Sequence, residues 1–318
     1  MRILIVGAGG ADRTEQALAR AARALGHDAR VLDALGWRRR LGGWSGGVLR
    51  WQADRFRPEF VLCTRHAAAA GERTLRDLTR GRRSAFWYFD AVAPLPERVI
   101  QLGRQVDQVF ATYGYQVDAF RAVGLRAEFL PQGADPEADR PAETAPPSYH
   151  CDVAFVGSGQ FPRRHALLAE LARHTMLQVR GPGWEGMAGR LPIAGGVVRG
   201  AVFSVVVRGA RLMLGIDALE AQRAEARGGT SNRLWRVLAA GGCFLGEYVD
   251  NVEEFARHGR HALWYRHQAD AVELARAALA DDALRARLAA EGRAHVLARH
   301  TYAHRLPRLL AGQGYTST

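Results

Sequence analysis

The sequence predicts an α/β protein made of two doubly wound, Rossmann-like domains. Short apolar runs recur along the chain, each followed by a turn and then a stretch with helical spacing of its apolar residues. That alternation breaks at a proline-rich stretch, 131–149, and then begins again. The chain has 318 residues, enough for two domains of ordinary size.

Residues 2–6, RILIV, form an uninterrupted apolar run that ends at Gly7, as expected for a strand covered on both faces of a parallel sheet. A glycine turn, GAGGADR, leads to a helix in which Leu18, Ala21, Ala22 and Leu25 share one face, and ARVLD (29–33) is the next strand. Strand, glycine loop, helix and strand together make a mononucleotide-binding unit. Gly7 and Gly9 match the dinucleotide fingerprint, but Asp12 stands at its third position, so Asp33 leaves only a weak case for NAD. Equally, Gly9 and Gly10 let the backbone approach another ligand closely.

Residues 37–57 interleave Trp37, Trp44, Trp51 and Phe56 with six arginines, a composition that suits either a solvated helix with aromatic anchors or peripheral contact with a membrane. The strands PEFVLCT (58–64) and SAFWYFD (84–90) follow. They end near His66 and at Asp90, and ligands bind at the carboxyl ends of strands in open parallel sheets. His66 and Asp90 are therefore the candidates for catalytic acid–base work, each also compatible with a plain capping role. QVFATY (108–113) and RAEFLP (126–131) bring the first half to about six strands. The stretch 131–149 carries five prolines and no apolar periodicity, and reads as a linker.

The second half opens with the strand CDVAFVG (151–157), a loop, and a helix over 166–174, then the strand MLQVRG (176–181) and a PGW turn. Residues 197–217 end in an apolar strand at Leu212–Ile216. In 229–246, GTSNRLWRVLAAGGCFLG, a small-residue loop supplies helix-capping side chains, Leu234, Trp235, Val237 and Leu238 share an apolar face, and Gly241–Gly242 stop the helix before a strand. A helix start behind such a loop favours an anion, and Arg233 in the first turn suits a diphosphate. A helix near 251–258, the strand ALWY (262–265) and helices near 268–280 and 283–298 complete the pattern. Three glycine-rich or basic loops lie in this half: Gly157–Ser158 with Arg163 and Arg164, Arg180–Gly181 with Gly183–Trp184, and Ser231–Asn232–Arg233. Such a set suits a nucleoside diphosphate, bound where domains meet.

Hydrophobic residues make up 48% and charged residues 24%, as in a globular protein, and the net charge is +12. All 44 basic residues are arginine, which points to a GC-rich, bacterial genome. A basic balance suits nucleotides or anionic surfaces, and no helix-turn-helix, zinc-finger or RNA-binding signature points to nucleic acid. Cys63, Cys151 and Cys243 lack CxxC spacing and read as buried thiols of a reducing cytoplasm. The N-terminus reads as a strand rather than a signal peptide, and Arg199, Arg208 and Arg211 break the most apolar region, 191–216. A cytoplasmic protein, peripheral at the inner membrane face at most, is expected.

FVGSGQFPRRHALLAEL, RGPGW, TSNRLWRVLAAGGCFLGEY and the tail RLAAEGRAHVLARHTYAHRLPRLL resemble the CgeB-like (spore-maturation protein) group of GT-B glycosyltransferases. FLPQGADP (129–136) resembles the end of a GT-B first domain; the match covers most of 126–310, and the first half matches in architecture alone. The resemblance implies two Rossmann-like domains facing a central cleft. Residues 1–140 would form the acceptor side, 150–300 the donor side, and 301–318 a C-terminal helix crossing back to the first domain. It also implies transfer of a hexose from a nucleotide-diphosphate sugar to a glycan, protein or small molecule, without a metal or other cofactor, because arginines and a helix N-terminus neutralise the leaving group. By the match, Arg163, Ser231, Asn232 and Arg233 hold the diphosphate and Trp184 packs near the nucleotide. One position departs: Arg236 stands where related families place a ribose-binding glutamate, and arginine has no acceptor for hydroxyls. Asp217, Glu220 or Glu247 is then the substitute, or the site is degenerate. The competing readings are a sugar-nucleotide epimerase, an NAD-dependent oxidoreductase using the first glycine loop, and a non-catalytic nucleotide-sugar-binding protein.

Overall fold

The computed structural model describes residues 1–218 and 229–314, in two compact units. Unit 1 comprises Met1–Gln132 and the chain from Tyr302; unit 2 is Gly133–Thr301.

Unit 1 runs β1 (Arg2–Gly7), α1 (Thr14–Ala24), β2 (Asp28–Asp33), α2 (Ala34–Leu41), α3 (Ser45–Phe56), β3 (Phe60–Cys63), α4 (Glu72–Thr79), β4 (Arg83–Tyr88), α5 (Glu97–Gly103), β5 (Gln108–Ala111), α6 (Gly114–Ala122) and β6 (Ala127–Phe129). The six strands pair in parallel in the order β2-β1-β3-β4-β5-β6. Side chains alternate across a strand, so the apolar run of β1 feeds both faces. Leu4 and Val6 join the core with Phe56, Phe86 and Phe120, while Ile3 and Ile5 pack with Leu18, Trp87 and Leu306.

Unit 2 runs β7 (Cys151–Val156), α7 (Arg163–His174), β8 (Leu177–Arg180), β9 (Ile193–Gly195), α8 (Ala201–Gly209), β10 (Ala210–Leu214), α9 (Asn232–Ala239), β11 (Phe244–Glu247), β12 (Leu263–Tyr265), α10 (Gln268–Ala280) and α11 (Asp282–Arg299). Its parallel sheet has the order β9-β8-β7-β10-β11-β12, the strand order of dinucleotide-binding folds. Leu167, Leu168 and Leu171 of α7 and Ala271 and Ala275 of α10 cover one sheet face. After it the chain enters α12 (Tyr302–Ala311) of unit 1, where the buried Arg305 donates to the carbonyls of Pro131 and Gln132.

Several local expectations change. The stretch read as a linker packs on unit 2: Ala134 bridges Thr301, and Asp135 and Asp139 are buried. Proline prevents ladder pairing but not packing, so proline content alone overstated its freedom. Residues 197–217 hold a helix, α8, before the strand β10. The helix expected near 251–258 is one 3-10 turn, Val252–Glu254, between Asn251 at φ 64° and Gly259 at φ 69°. No helix among the described residues is long and apolar enough to cross a membrane.

Candidate functional site

In unit 2 the strand order reverses direction between β7 and β10, and the chain leaves both strands there through Gly157–Ser158 and Gly215–Asp217. The helix α9 starts at the same corner. Ser231 is its N-cap, and its hydroxyl accepts from the Arg233 N–H at 3.3 Å. Asn232 opens the helix, and the first-turn N–H groups give that end partial positive charge. Arg233 is 9% exposed; its Nε donates to the Val156 carbonyl at 2.8 Å and its guanidinium lies 4.9 Å over the Phe155 ring. A Cβ at Gly157 would stand 2.7 Å from the Phe155 ring and 3.0 Å from Arg233 Nη2, so the glycine leaves room for the packed ring and guanidinium together.

Arg163 and Glu247 form a two-pronged ion pair at 2.8 and 2.7 Å, with the carboxylate side chain only 2% exposed. Arg163 Nη1 also donates to the Asp217 carbonyl, and the Asp217 N–H donates to Glu247. The hydrogen bonds that Arg163 donates to Glu247 hold its cation above the usual pKa. Arg163, expected to grip a diphosphate, is thus the counter-charge of a buried acid, because a carboxylate at the end of β11 requires one. The same pairing engages Glu247, one of the acids considered for the ribose. Burial first and the Glu247 charge second push the Asp217 carboxyl up to about 6, against the pull of Arg233, Arg163 and Arg164. Glu220 lies outside the described residues. Beside the pair, Leu167, Ile216, Tyr265, Arg266, His267 and Gln268 complete the lining of a pocket of about 210 Å³.

The second loop closes on the first. Gly181 has φ 140°, and a Cβ there would fall 2.1 Å from the Gly157 carbonyl oxygen. Trp184 is 2% exposed, donates to that carbonyl at 2.9 Å, and packs edge-on against Phe155. Its ring is core and leaves no face for a nucleotide. Arg180 donates to Ala194, Ser148 and Gln178 and lies over Tyr149, so it too is tied into the wall. Arg164 takes a place at the corner instead, donating to the Ser158 carbonyl at 2.7 Å. Arg236 points the other way: its Nε donates to the buried Asp139 at 2.8 Å and its guanidinium lies 4.0 Å over Phe203. An arginine here ties the 133–149 stretch to α9.

In unit 1 the switch falls between β1 and β3. Gly9 donates to Asp33 at 2.8 Å, and Asp33 also accepts from Gly36 at the start of α2. The acid that kept NAD in view is therefore a loop clamp, and Gly10 closes a turn by accepting from the Arg13 N–H. Arg65 joins the two acid–base candidates, donating to Asp90 at 2.5 Å and to His66 Nε2 at 3.3 Å. Burial and then the Arg65 cation lower the His66 pKa, so the imidazole is neutral at pH 7 with Nε2 an acceptor. Behind them, Gln116 donates to the Asp90 carbonyl at 2.6 Å, and the buried Glu15 accepts from Ala8 N–H and Thr64 Oγ1. Glu15 and Gln116 were not legible as site residues. An acid in a first helical turn is ordinary, and Gln116 is within reach of Asp90 only through the fold.

Residues 163–311 match the family described as glycosyl transferase-like. The fold is shared along nearly the whole chain with three solved structures. The Anabaena HepE protein, solved with UDP and glucose, is 12% identical with TM-score 0.67, covering 98% of this chain and 99% of that one. Sucrose-phosphate synthase from Thermosynechococcus elongatus is 12% identical, TM-score 0.67, with 98% of each chain covered. A glycosyltransferase involved in avilamycin A biosynthesis is 15% identical, TM-score 0.64, covering 98% and 96%. No curated protein matches the chain. Two parallel six-stranded sheets in this order give the chain the GT-B fold that these solved structures share, and residues 163–311 are similar to glycosyl transferase-like proteins.

Proposed function

We propose that the protein transfers a hexose from a nucleoside-diphosphate sugar to an acceptor without a metal, and that it belongs to the CgeB-like group. The observation that carries this is the cationic corner of unit 2, where the capped start of α9, Arg233 and Arg164 meet the glycine loop after β7. Backbone N–H groups and guanidinium forks oppose the charge that develops on a leaving diphosphate. Ser231, Asn232, Arg233, Gly157 and Ser158 hold the diphosphate, and Arg163 positions the floor through Glu247. On the acceptor side, neutral His66 takes the acceptor hydroxyl proton at Nε2 once the Arg65 Nε–H releases that nitrogen, while Asp90 holds the Arg65 guanidinium beside it. The protein acts in the cytoplasm, with residues 37–57 in peripheral contact with the inner membrane face. The CgeB-like assignment rests on the Ser231-x-Arg233 helix start and the C-terminal tail. HepE was solved with UDP and with UDP-glucose, which makes uridine the first base to try.

The test is thermal stabilisation by UDP, GDP, dTDP, CMP and NAD. A ligand at about 100 times its Kd adds roughly 2.7 kcal/mol. Stabilisation by one nucleoside diphosphate, lost in Arg233→Ala, is expected and should be unchanged by EDTA. Stabilisation by NAD alone, retained in Arg233→Ala, would overturn the reading.

A further inference from the structure

The segment from Arg38 to Trp44 is exposed at every residue, and α3 continues the exposure along one side. Trp44, Gly47, Trp51 and Arg55 are all exposed and spaced three, four and four residues apart, a single helical stripe. The opposite side of α3 buries Leu49, Ala53 and Phe56 in the core. Trp44 is 87% and Trp51 63% exposed, and Leu41 joins them among the exposed large apolar side chains. The apolar face of α3 is therefore already used, and the two indoles stand outside it.

The charge around them has one sign. Asp54 is held by Arg82 and Arg50 pairs with Asp77, whereas Arg38, Arg39, Arg40 and Arg55 have no ion-pair partner among the described residues. Arg40 is exposed and lies 5.7 Å over the Trp37 ring. Indoles prefer the boundary between headgroups and acyl chains, and arginine is drawn to anionic headgroups. A nucleic-acid surface would match the arginines but give Trp44 and Trp51 no apolar layer to enter.

We propose that Arg38–Arg40, Leu41, Trp44, Trp51 and Arg55 form a docking surface for an anionic lipid bilayer, with the indoles inserted at headgroup depth. This deepens the membrane part of the functional reading and is independent of the donor chemistry, so failure of nucleotide binding would leave it untouched. The probe is co-sedimentation with phosphatidylcholine vesicles containing or lacking a third phosphatidylglycerol, at about 0.15 M salt. Binding to the anionic vesicles with a blue shift of tryptophan fluorescence is expected, and little binding to pure phosphatidylcholine. R38Q/R39Q/R40Q should weaken binding by about a hundredfold, at roughly fivefold per arginine. W44S/W51S should weaken it and abolish the blue shift; all five side chains are exposed, so both variants should melt like the parent. Equal binding to the two vesicle types, none to either, or full binding by W44S/W51S would overturn the proposal. So would tighter binding to duplex DNA that survives W44S/W51S.

Discussion

The two sheets use the same scaffold for opposite chemistry. Each is six-stranded and parallel, and each gathers side chains where the strand order reverses. Unit 1 puts an imidazole and carboxylates there: His66, Asp90 and, deeper, Glu15. Unit 2 puts arginines there, with a helix start and a buried carboxylate between them. An imidazole suits proton transfer and an arginine-lined helix start suits an anion, the two roles that the proposed reaction assigns to them. The fold supplies the position, and the loop residues decide the charge. The ion pairs differ in the same sense: Arg65–Asp90 has side chains 48% and 32% exposed, while Arg163–Glu247 has 18% and 2%.

The largest test breaks the division of labour. His66→Gln should lower kcat by about 10²–10⁴ while leaving nucleotide affinity unchanged, measured by turnover and calorimetry. A matching loss of nucleotide affinity would show that unit 1 holds the donor. Next, Arg163→Ala leaves Glu247 buried without its counter-charge and should cost about 3–5 kcal/mol in denaturant unfolding. Arg163→Ala with Glu247→Gln should recover much of that loss, since no bare charge remains.

A third test uses pH, where unit 2 carries opposing titrations. Burial first, then its stacked neighbour His295, pushes His261 down to about 4. Its folded pKa lies below the unfolded 6.5, so its contribution is present above 6.5 and is lost as pH falls toward 4, by at most about 1.4 kcal/mol per pH unit. Asp217 has the opposite sign. Its folded pKa of about 6 lies above the unfolded 3.8, so its contribution is full below 3.8 and disappears as pH rises through 6. His261→Asn should flatten the acid loss of melting temperature, and Asp217→Asn should steepen it. The smallest effect belongs to Arg65→Ala, whose exposed pair should cost under about 1 kcal/mol in the same unfolding assay. A larger cost would mean that Arg65 supports the fold as well as His66.

Arg236→Glu would set a carboxylate against the buried Asp139, and repulsion would lower stability whatever the donor site does.

The sequence alone determined the two parallel α/β sheets, the helix start at Ser231 and the glycine loops, because period, capping and backbone freedom are properties of neighbouring residues. Ile3 to Val6 announce a strand covered on both faces without reference to anything distant. Only the tertiary structure decided which charges are available. Arg163 meets Glu247 across 84 residues and Arg236 meets Asp139 across 97, and no local pattern carries that information. The resemblance likewise placed Trp184 near the nucleotide, and it is core because the loop after β8 folds onto Gly157. Charge pairing and burial depend on which strands become neighbours, and that is settled only when the sheets assemble.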